Sequence, residues 1–567
     1  MSERREQEGS AMRPGPAEAS DQESPGPSSV ETPDGPRAEP RGGSAAYLVA
    51  AGIFLSRIAG LVRQRFIAGA LGVSLYSDAF NLALRMPNFL QNLLGEGTLS
   101  ASFIPVYSRL LKEGRKEEAG RVAGAVFALL LVLAGILGLV GFFAAPLLVT
   151  IGAPKWVGEQ RALTIACVRI IFPMTAVLVL SAWALGVQNS HRKFFVSYVA
   201  PVLWNAAIIA TLILFGRSRP EGGLTAPAVA EWLSRLTVAL AWGALIGGVL
   251  QFLIQVPFVL RLERSLRVGW APKLPEVREI VHTAGPAIAG RGVVQASALL
   301  DIWLAGLIST GSVTAMQNAL LLYMLPISLF GMSVAASELP DLARERLSGA
   351  EQMRERVNSG LRQIYFFVVP SFIAFVVLGD VIVGGILQNG VFGPAETLQT
   401  YVILAAFSLG LVASTGTRLF SSTFFALGDT RTPAKVAFWR VIIAGVLGAA
   451  LMFPFDRIHV NSELALGAAG LGLGSSIAAW YEWWTLRRTL GGKVGHVGAG
   501  AGILTRMFAA AIVAAAAGRA IAQFAPIDSP LMRAVVVLPP VGLLYLLLTG
   551  LAGVPQSRRL VNRVLRR

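Results

Sequence analysis

From Tyr47 onward the chain alternates between long apolar runs and short polar breaks. The runs reach roughly 18–25 residues, the length that carries an α-helix across the hydrocarbon core of a bilayer. The pattern predicts fourteen membrane segments, over 46–70, 77–108, 123–151, 160–188, 196–216, 233–260, 277–309, 312–343, 360–388, 397–427, 433–455, 463–485, 501–523 and 532–553. In lipid a backbone must satisfy its own polar groups, which makes the expected elements helices. The fold class is therefore an all-α polytopic membrane protein.

Short stretches recur along the chain. Ala101-Ser102-Phe103-Ile104-Pro105 to Arg109 closes the second segment, and Ala336-Ser337-Glu338-Leu339-Pro340 to Arg344 closes the eighth, 235 residues later. Ala184-Leu185-Gly186 and Ala426-Leu427-Gly428 close the fourth and tenth, 242 residues apart. The nearly constant offset predicts a duplicated six-helix unit. One lobe covers 45–270 and the other 271–490, while 491–567 adds two helices and a basic tail. An even helix number gives both copies one orientation, with a pseudo-twofold axis along the membrane normal and room for a site between them.

Composition agrees with this picture. Of 567 residues, 54% are hydrophobic and 14% charged, against about a quarter charged in soluble domains. Residues 1–44 are the exception, rich in proline and acidic residues and poor in large apolar ones, which predicts a disordered cytoplasmic tail. The single cysteine, Cys167, and the scattered His191, His282, His459 and His496 exclude a disulfide framework and the usual zinc motifs. No P-loop or paired-carboxylate pattern is present, so catalytic residues, metal and cofactor are all expected to be none.

The formal net charge of +16 gains meaning by position. Even-numbered junctions and the C-terminal tail hold 27 Lys and Arg, odd-numbered junctions 8. That asymmetry predicts both termini in the cytoplasm. No basic soluble face is left for nucleic acid. Nine arginines fall within or at the ends of apolar segments: Arg57, Arg63, Arg65, Arg85, Arg169, Arg291, Arg418, Arg440 and Arg506. Fewer acids accompany them, namely Asp78, Asp301, Glu338, Asp380 and Glu482. Charge at mid-bilayer costs several kcal/mol, so such a set calls for a water-filled cavity or an anionic ligand.

Guanidinium groups keep their charge and bind phosphate bidentately. Arg57 and Arg63 lie about 120° and 9 Å apart on one helix, Asp78 and Arg85 on one face about 10 Å apart. Arg291 and Asp301 are separated by about 15 Å on the seventh segment. Arg418 occupies the tenth, equivalent to Arg169 in the fourth. These residues predict a cationic cavity for a phosphate-bearing headgroup, with Arg57, Arg63, Asp78, Arg85, Arg291 and Arg418 as its candidate residues. The competing reading is snorkelling to the interface and pairing, with Asp78 steering an arginine of the first segment. Asp301 is also a candidate for a coupling cation or proton. The tryptophans read as an interfacial belt.

Ser56–Arg63, Ser77-Asp78-Ala79-Phe80, Met86-Pro87-Asn88 and Gly95-Glu96-Gly97 through Phe103-Ile104-Pro105 resemble the lipid II flippase family (MurJ/MviN). Gly285-Pro286-Ala287-Ile288, Gly311-Ser312-Val313 and Thr432-Pro433-Ala434-Lys435 match as well, so the resemblance covers about 45–555. It implies a fourteen-helix member of the multidrug/oligosaccharidyl-lipid/polysaccharide exporter superfamily. It also implies movement of undecaprenyl-diphosphate-linked peptidoglycan precursor to the outer leaflet of the bacterial inner membrane by alternating access. Helices 1 and 8 would flank the portal, and a groove of helices 13 and 14 would take the lipid tail. The resemblance carries site roles to Arg57, Arg63, Asp78, Glu96 and Arg418. Partners implied are the lipid-linked anionic glycan, membrane lipids and cell-wall synthesis proteins.

The chain departs from the family pattern in several places. Gln64 stands where an acid often follows, Gln91-Asn92 where an arginine is usual, and Leu320-Leu321-Leu322 in place of the eighth-segment arginine. The eleventh segment lacks the Asn or Asp of a sodium site, leaving membrane potential or protons as energy source. Arg291 is a candidate replacement charge. The alternatives are an exporter of another polyprenyl-linked glycan or small molecule, and a non-transporting cell-wall scaffold.

Overall fold

The computed structural model describes residues 42–217, 219–222, 226–332, 334–335, 338, 349–461, 464–525 and 527–558. Its description excludes the side chains at 42–51, 53, 96, 287, 289–291 and 293–298. Residues 1–41 of the tail expected to be disordered, most of the Ala336–Arg344 repeat and the last nine residues lie outside it, as do the side chains of Arg291 and Glu96. Residues 42–44, expected to belong to that tail, already form the first turn of a helix.

The described elements are helices, and the expected segments overlap single helices or broken pairs, the end of 312–343 lying largely outside the described residues. They are α1 (Gly42–Leu71), α2 (Leu75–Leu94), α3 (Glu96–Lys112), α4 (Lys116–Phe143), α5 (Ala145–Gly152), α6 (Gly158–Ile171) and α7 (Met174–Ser190). Next come α8 (Phe195–Phe215), α9 (Pro227–Leu253), α10 (Val256–Leu262), α11 (Pro275–Ala305) and α12 (Ser312–Pro326). A π-helical stretch (Ile327–Met332) follows α12. The remainder are α13 (Ala350–Val377), α14 (Gly379–Leu387), α15 (Pro394–Ser408), α16 (Leu411–Ala426), α17 (Arg431–Asp456), α18 (Gly467–Val494), α19 (Ala501–Phe524) and α20 (Pro530–Leu551). Among the described residues nine stretches are long and apolar enough to cross a membrane, and ten if α15 and α16, bent by 42°, count as one.

The breaks have local causes. Gly95 separates α2 from α3 with φ −86° and ψ −138°, its N–H donating to the Gln91 carbonyl at 2.7 Å. A Cβ there would sit 2.3 Å from that carbonyl oxygen, so the kink needs glycine. Pro173, which has no N–H to donate, separates α6 from α7. Pro326 ends α12 where the π-helical stretch begins.

Side chains pack in three apolar cores. Phe80, Ile171 and Met174 centre one among α1, α2, α6, α7 and α9. Phe103, Tyr107 and Val126 centre another that joins α3 and α4 to α7 and the start of α11. Phe366, Phe392, Phe420 and Phe424 belong to the third, among α12 to α20. Outward positions are apolar too, with Phe143 71%, Leu214 72% and Leu543 62% exposed. Bilayer rather than water accounts for such a surface.

Candidate substrate-binding cavity

A polar seam joins α1 and α2 to α12. Gln64 Nε2 donates to Asn318 Oδ1 at 2.7 Å, and Asn81 Nδ2 to Thr314 Oγ1 at 3.0 Å. Arg85 Nη2 donates to Gln317 Oε1 at 2.6 Å. Asp78 closes one end of the seam: its carboxylate accepts from Gly311 N at 2.6 Å, from Thr314 N at 2.8 Å and from Thr314 Oγ1 at 2.7 Å. Gly311 N and Thr314 N belong to the N-terminal turn of α12, whose N–H groups have no partners within the helix. The expectation that Asp78 steers a first-segment arginine is thus corrected: a fixed array of backbone donors at a helix N-terminus holds the buried carboxylate. Gly311 sits at φ +87° beneath it, with Val73 Cγ1 only 2.5 Å from where a Cβ would be.

Beside the seam lies a cavity of about 490 Å³. Its polar lining comes from Arg63, Gln64, Asn81, Arg85, Asn88, Gln317 and Asp301, and Trp204 forms part of the wall. Trp204 is held by its indole N–H on the Ala244 carbonyl at 3.0 Å and places its ring 4.7 Å from the Arg63 guanidinium carbon. Such stacking favours the cation without neutralising it. Leu320 and Leu321 of α12 also line the cavity.

Two buried donors at this wall have no acceptor among the described residues, Arg63 Nε and Gln317 Nε2. The orientation of Gln317 follows from chemistry. An arginine only donates, so Gln317 must turn its oxygen toward Arg85, leaving its NH₂ free. Buried donors in this state call for an acceptor-bearing ligand or water.

The intramembrane acids are mostly engaged elsewhere. Glu482 pairs with Arg440 at 3.3 Å, Asp380 with Arg519 at 2.5 Å and Glu338 with Arg356 at 2.5 Å. Asp301 has neither ion pair nor hydrogen bond among the described residues, and it lies within electrostatic reach of Arg440 and Arg85. Among the described residues the cavity is thus lined by two arginines and one carboxylate.

The structure brings Arg63 and Arg85 together. It does not bring Arg57 into the cavity lining. Arg57 is exposed on α1 beside Phe54 (60% exposed) and Ile58 (41%). Arg418, on α16, also stands outside this cavity, near Arg440 and Glu482. Arg65 donates to the carbonyls of Gly385 and Ile386 at 2.9 and 3.0 Å, closing the end of α14. Arg291 lies on α11 with its side chain outside the description. Sequence reasoning missed Asn81, Trp204 and Gln317. Their signal was position: a tryptophan at the middle of its apolar segment, and polar residues spaced three apart at 314 and 317.

The family model for "Lipid II flippase MurJ" matches residues 67–533. The chain belongs to the MurJ lipid II flippase family. A "Probable lipid II flippase MurJ" of Rhizobium meliloti (strain 1021) is 31% identical over 479 residues, 81% of this chain and 83% of the relative. A "Lipid II flippase MurJ" of Burkholderia cenocepacia is 28% identical and covers 73% of this chain and 78% of the relative. A solved structure described as "Lipid II flippase MurJ, inward closed conformation" superposes with TM-score 0.69 at 22% identity, covering 92% of this chain and all of that one. An inward-facing multidrug resistance MATE transporter of the MOP superfamily superposes with TM-score 0.58 at 17% identity, covering 79% of this chain and 98% of that one. These likenesses establish the fold of a multi-pass transporter family and make this chain a multi-pass membrane protein.

Proposed function

We propose that the chain flips a lipid-linked peptidoglycan precursor, lipid II, from the inner to the outer leaflet of the bacterial cytoplasmic membrane by alternating access. Its termini face the cytoplasm, on the side of the basic junctions. The lobes 45–270 and 271–490 move against each other, and 491–567 is appended to them. Arg63 and Arg85 hold the diphosphate, and Arg57, exposed about 9 Å along α1 from Arg63, meets the headgroup on its way in. Arg291 and Arg418 add positive potential from neighbouring helices. Asp78 contributes by holding α12 in register.

The observation that carries this reading is Arg63 at the cavity wall, with no ion pair and no acceptor for its buried Nε among the described residues. A cation stacked on an aromatic ring and lacking a carboxylate keeps its hydrogen-bonding capacity for an incoming anion. Release stays feasible because Asp301 remains in the same cavity as a competing negative charge.

The test is complementation of a bacterium depleted of its own lipid II flippase. Wild type restores growth, and Arg63→Ala and Arg85→Ala, inserted at equal levels, do not. Failure of the inserted wild type would turn the reading toward another cargo or a scaffold. Full rescue by both variants would remove the roles given to these arginines.

A further inference from the structure

A second cavity, of about 500 Å³, adjoins the first. Met86 and Leu90 of α2, Leu148 of α5, Phe172, and Leu300 and Trp303 of α11 form its walls. Among the described residues its one charged wall group is Arg85, which with Ile302 also lines the polar cavity. Arg85 therefore stands at the boundary of two compartments, one polar and one apolar. Its guanidinium turns to Gln317 on the polar side.

The rim of the apolar cavity carries exposed apolar side chains. Ile151, also in its lining, is 60% exposed and Trp303 38%; Leu147, on the same short helix as Ile151, is 60% exposed. In a chain surrounded by lipid this rim faces hydrocarbon. A water-soluble ligand entering over this rim would have to cross bilayer. A hydrocarbon chain longer than the cavity would run out over an apolar rim at no desolvation cost. The volume falls in the range of ligand sites, about 300–1,000 Å³.

We propose that this cavity binds the isoprene units nearest the diphosphate of the polyprenyl-linked substrate, while the diphosphate itself lies across Arg85 and Arg63. The inference rests on the function proposed above and adds to it a chain-binding site between α2, α5 and α11, separate from any groove along α19 and α20. Arg85 then marks the junction of headgroup and chain, so the substrate is recognised as an amphiphile rather than as a free anion. An acyl chain of a bulk phospholipid is the competing occupant, and the experiment separates the two.

The test uses the full chain in nanodiscs of phosphatidylethanolamine and phosphatidylglycerol. The probes are undecaprenyl diphosphate with a photoreactive diazirine in the isoprene units next to the diphosphate, the unmodified lipid, and inorganic diphosphate as chain-free competitor. Cross-links mapped by mass spectrometry are expected within 82–90, 148–152 and 299–303. Gly152→Leu projects a side chain toward Met86, whose Cε is 2.9 Å from the position of a Cβ. This variant is expected to lower the affinity ratio of undecaprenyl diphosphate over inorganic diphosphate about tenfold. Cross-links confined to other helices would overturn the proposal, whatever the variant does. So would a diazirine phospholipid that labels these peptides undiminished by undecaprenyl diphosphate. In both cases Arg63-dependent binding of the diphosphate would leave the flippase reading standing. Absence of any binding by the wild type would take both down together.

Discussion

Asp78 and Thr314 are joined twice: the backbone N–H and the hydroxyl of Thr314 both donate to Asp78 Oδ1, at 2.8 and 2.7 Å. With Gly311 N on Oδ2 at 2.6 Å, this carboxylate satisfies the N-terminal turn of a helix 233 residues away in the chain. The partners are buried, so removing the acceptor strands donors that water reaches poorly. Asp78→Ala is expected to destabilise the protein by about 2–3 kcal/mol, and Thr314→Val by about 1 kcal/mol. Thermal denaturation in detergent measures both. A melting temperature for Asp78→Ala equal to wild type would refute the structural role.

Trp204 keeps Arg63 at the cavity wall while leaving its charge uncompensated. Trp204→Phe keeps a weaker π-face and Trp204→Ala removes it, with an expected loss of about 0.5–2 kcal/mol in anion binding for the alanine variant. Undecaprenyl diphosphate binding should therefore weaken in the order tryptophan, phenylalanine, alanine. Arg63→Lys retains charge but loses the planar fork, and should bind worse than wild type and better than Arg63→Ala. Equal binding by lysine and alanine variants would show that charge is not the operative property.

Among the described residues Asp301 is the one carboxylate in the cavity lining, and it lies within electrostatic reach of Arg440 and Arg85. Asp301→Asn makes the cavity more positive at nearly constant volume. Binding of polyprenyl diphosphate should tighten, and turnover measured by leaflet exchange in proteoliposomes should slow, because release weakens as the competing charge disappears. Faster exchange with unchanged binding would exclude this role.

Outside the membrane, Asp429 joins the turn before α17 to the end of α18. Lys493 Nζ lies 2.6 Å from its carboxylate, and the backbone N–H and hydroxyl of Thr432 donate to it at 3.0 and 2.8 Å. These donors hold its carboxyl well below the usual carboxylate range. A group lowered on folding contributes stability that is fully present above the ordinary value near 3.9 and fades as pH falls below it. The melting-temperature difference between wild type and Asp429→Asn should hold from pH 7 to pH 5 and shrink toward pH 3. A difference that grows on acidification would reverse the assignment.

Much of the bundle was legible in the linear pattern because lipid imposes a simple rule: a span must be apolar and helical. The segments 46–70 to 532–553 overlap α1 to α20 taken singly or in consecutive pairs, apart from the end of 312–343, which lies largely outside the described residues. Breaks inside segments were less legible. Gly95 and Pro173 interrupt helices locally, while other helices tolerate interior prolines, as α2 does Pro87 and α8 Pro201. The difference lies in neighbouring packing. A buried polar network was missed altogether: Tyr107 donates to Glu263 at 2.7 Å, and Glu263 also accepts from Ser265 N at 3.2 Å. Its members are far apart in the chain and separately unremarkable.

By itself the sequence determined the membrane class, the helix succession and the excess of permanent positive charge in the spans, because hydrophobic length and charge count depend on order along the chain alone. It also carried the family likeness in its first two segments. Only the tertiary structure decided which arginines face a cavity. Arg63 and Arg85 meet there because α1, α2 and α12 are joined by side-chain hydrogen bonds, while Arg65 is taken up by carbonyls of α14 and Asp78 by the first turn of α12. Those partners lie more than 230 residues away in the chain, and no local periodicity encodes which distant donor or acceptor a side chain will find.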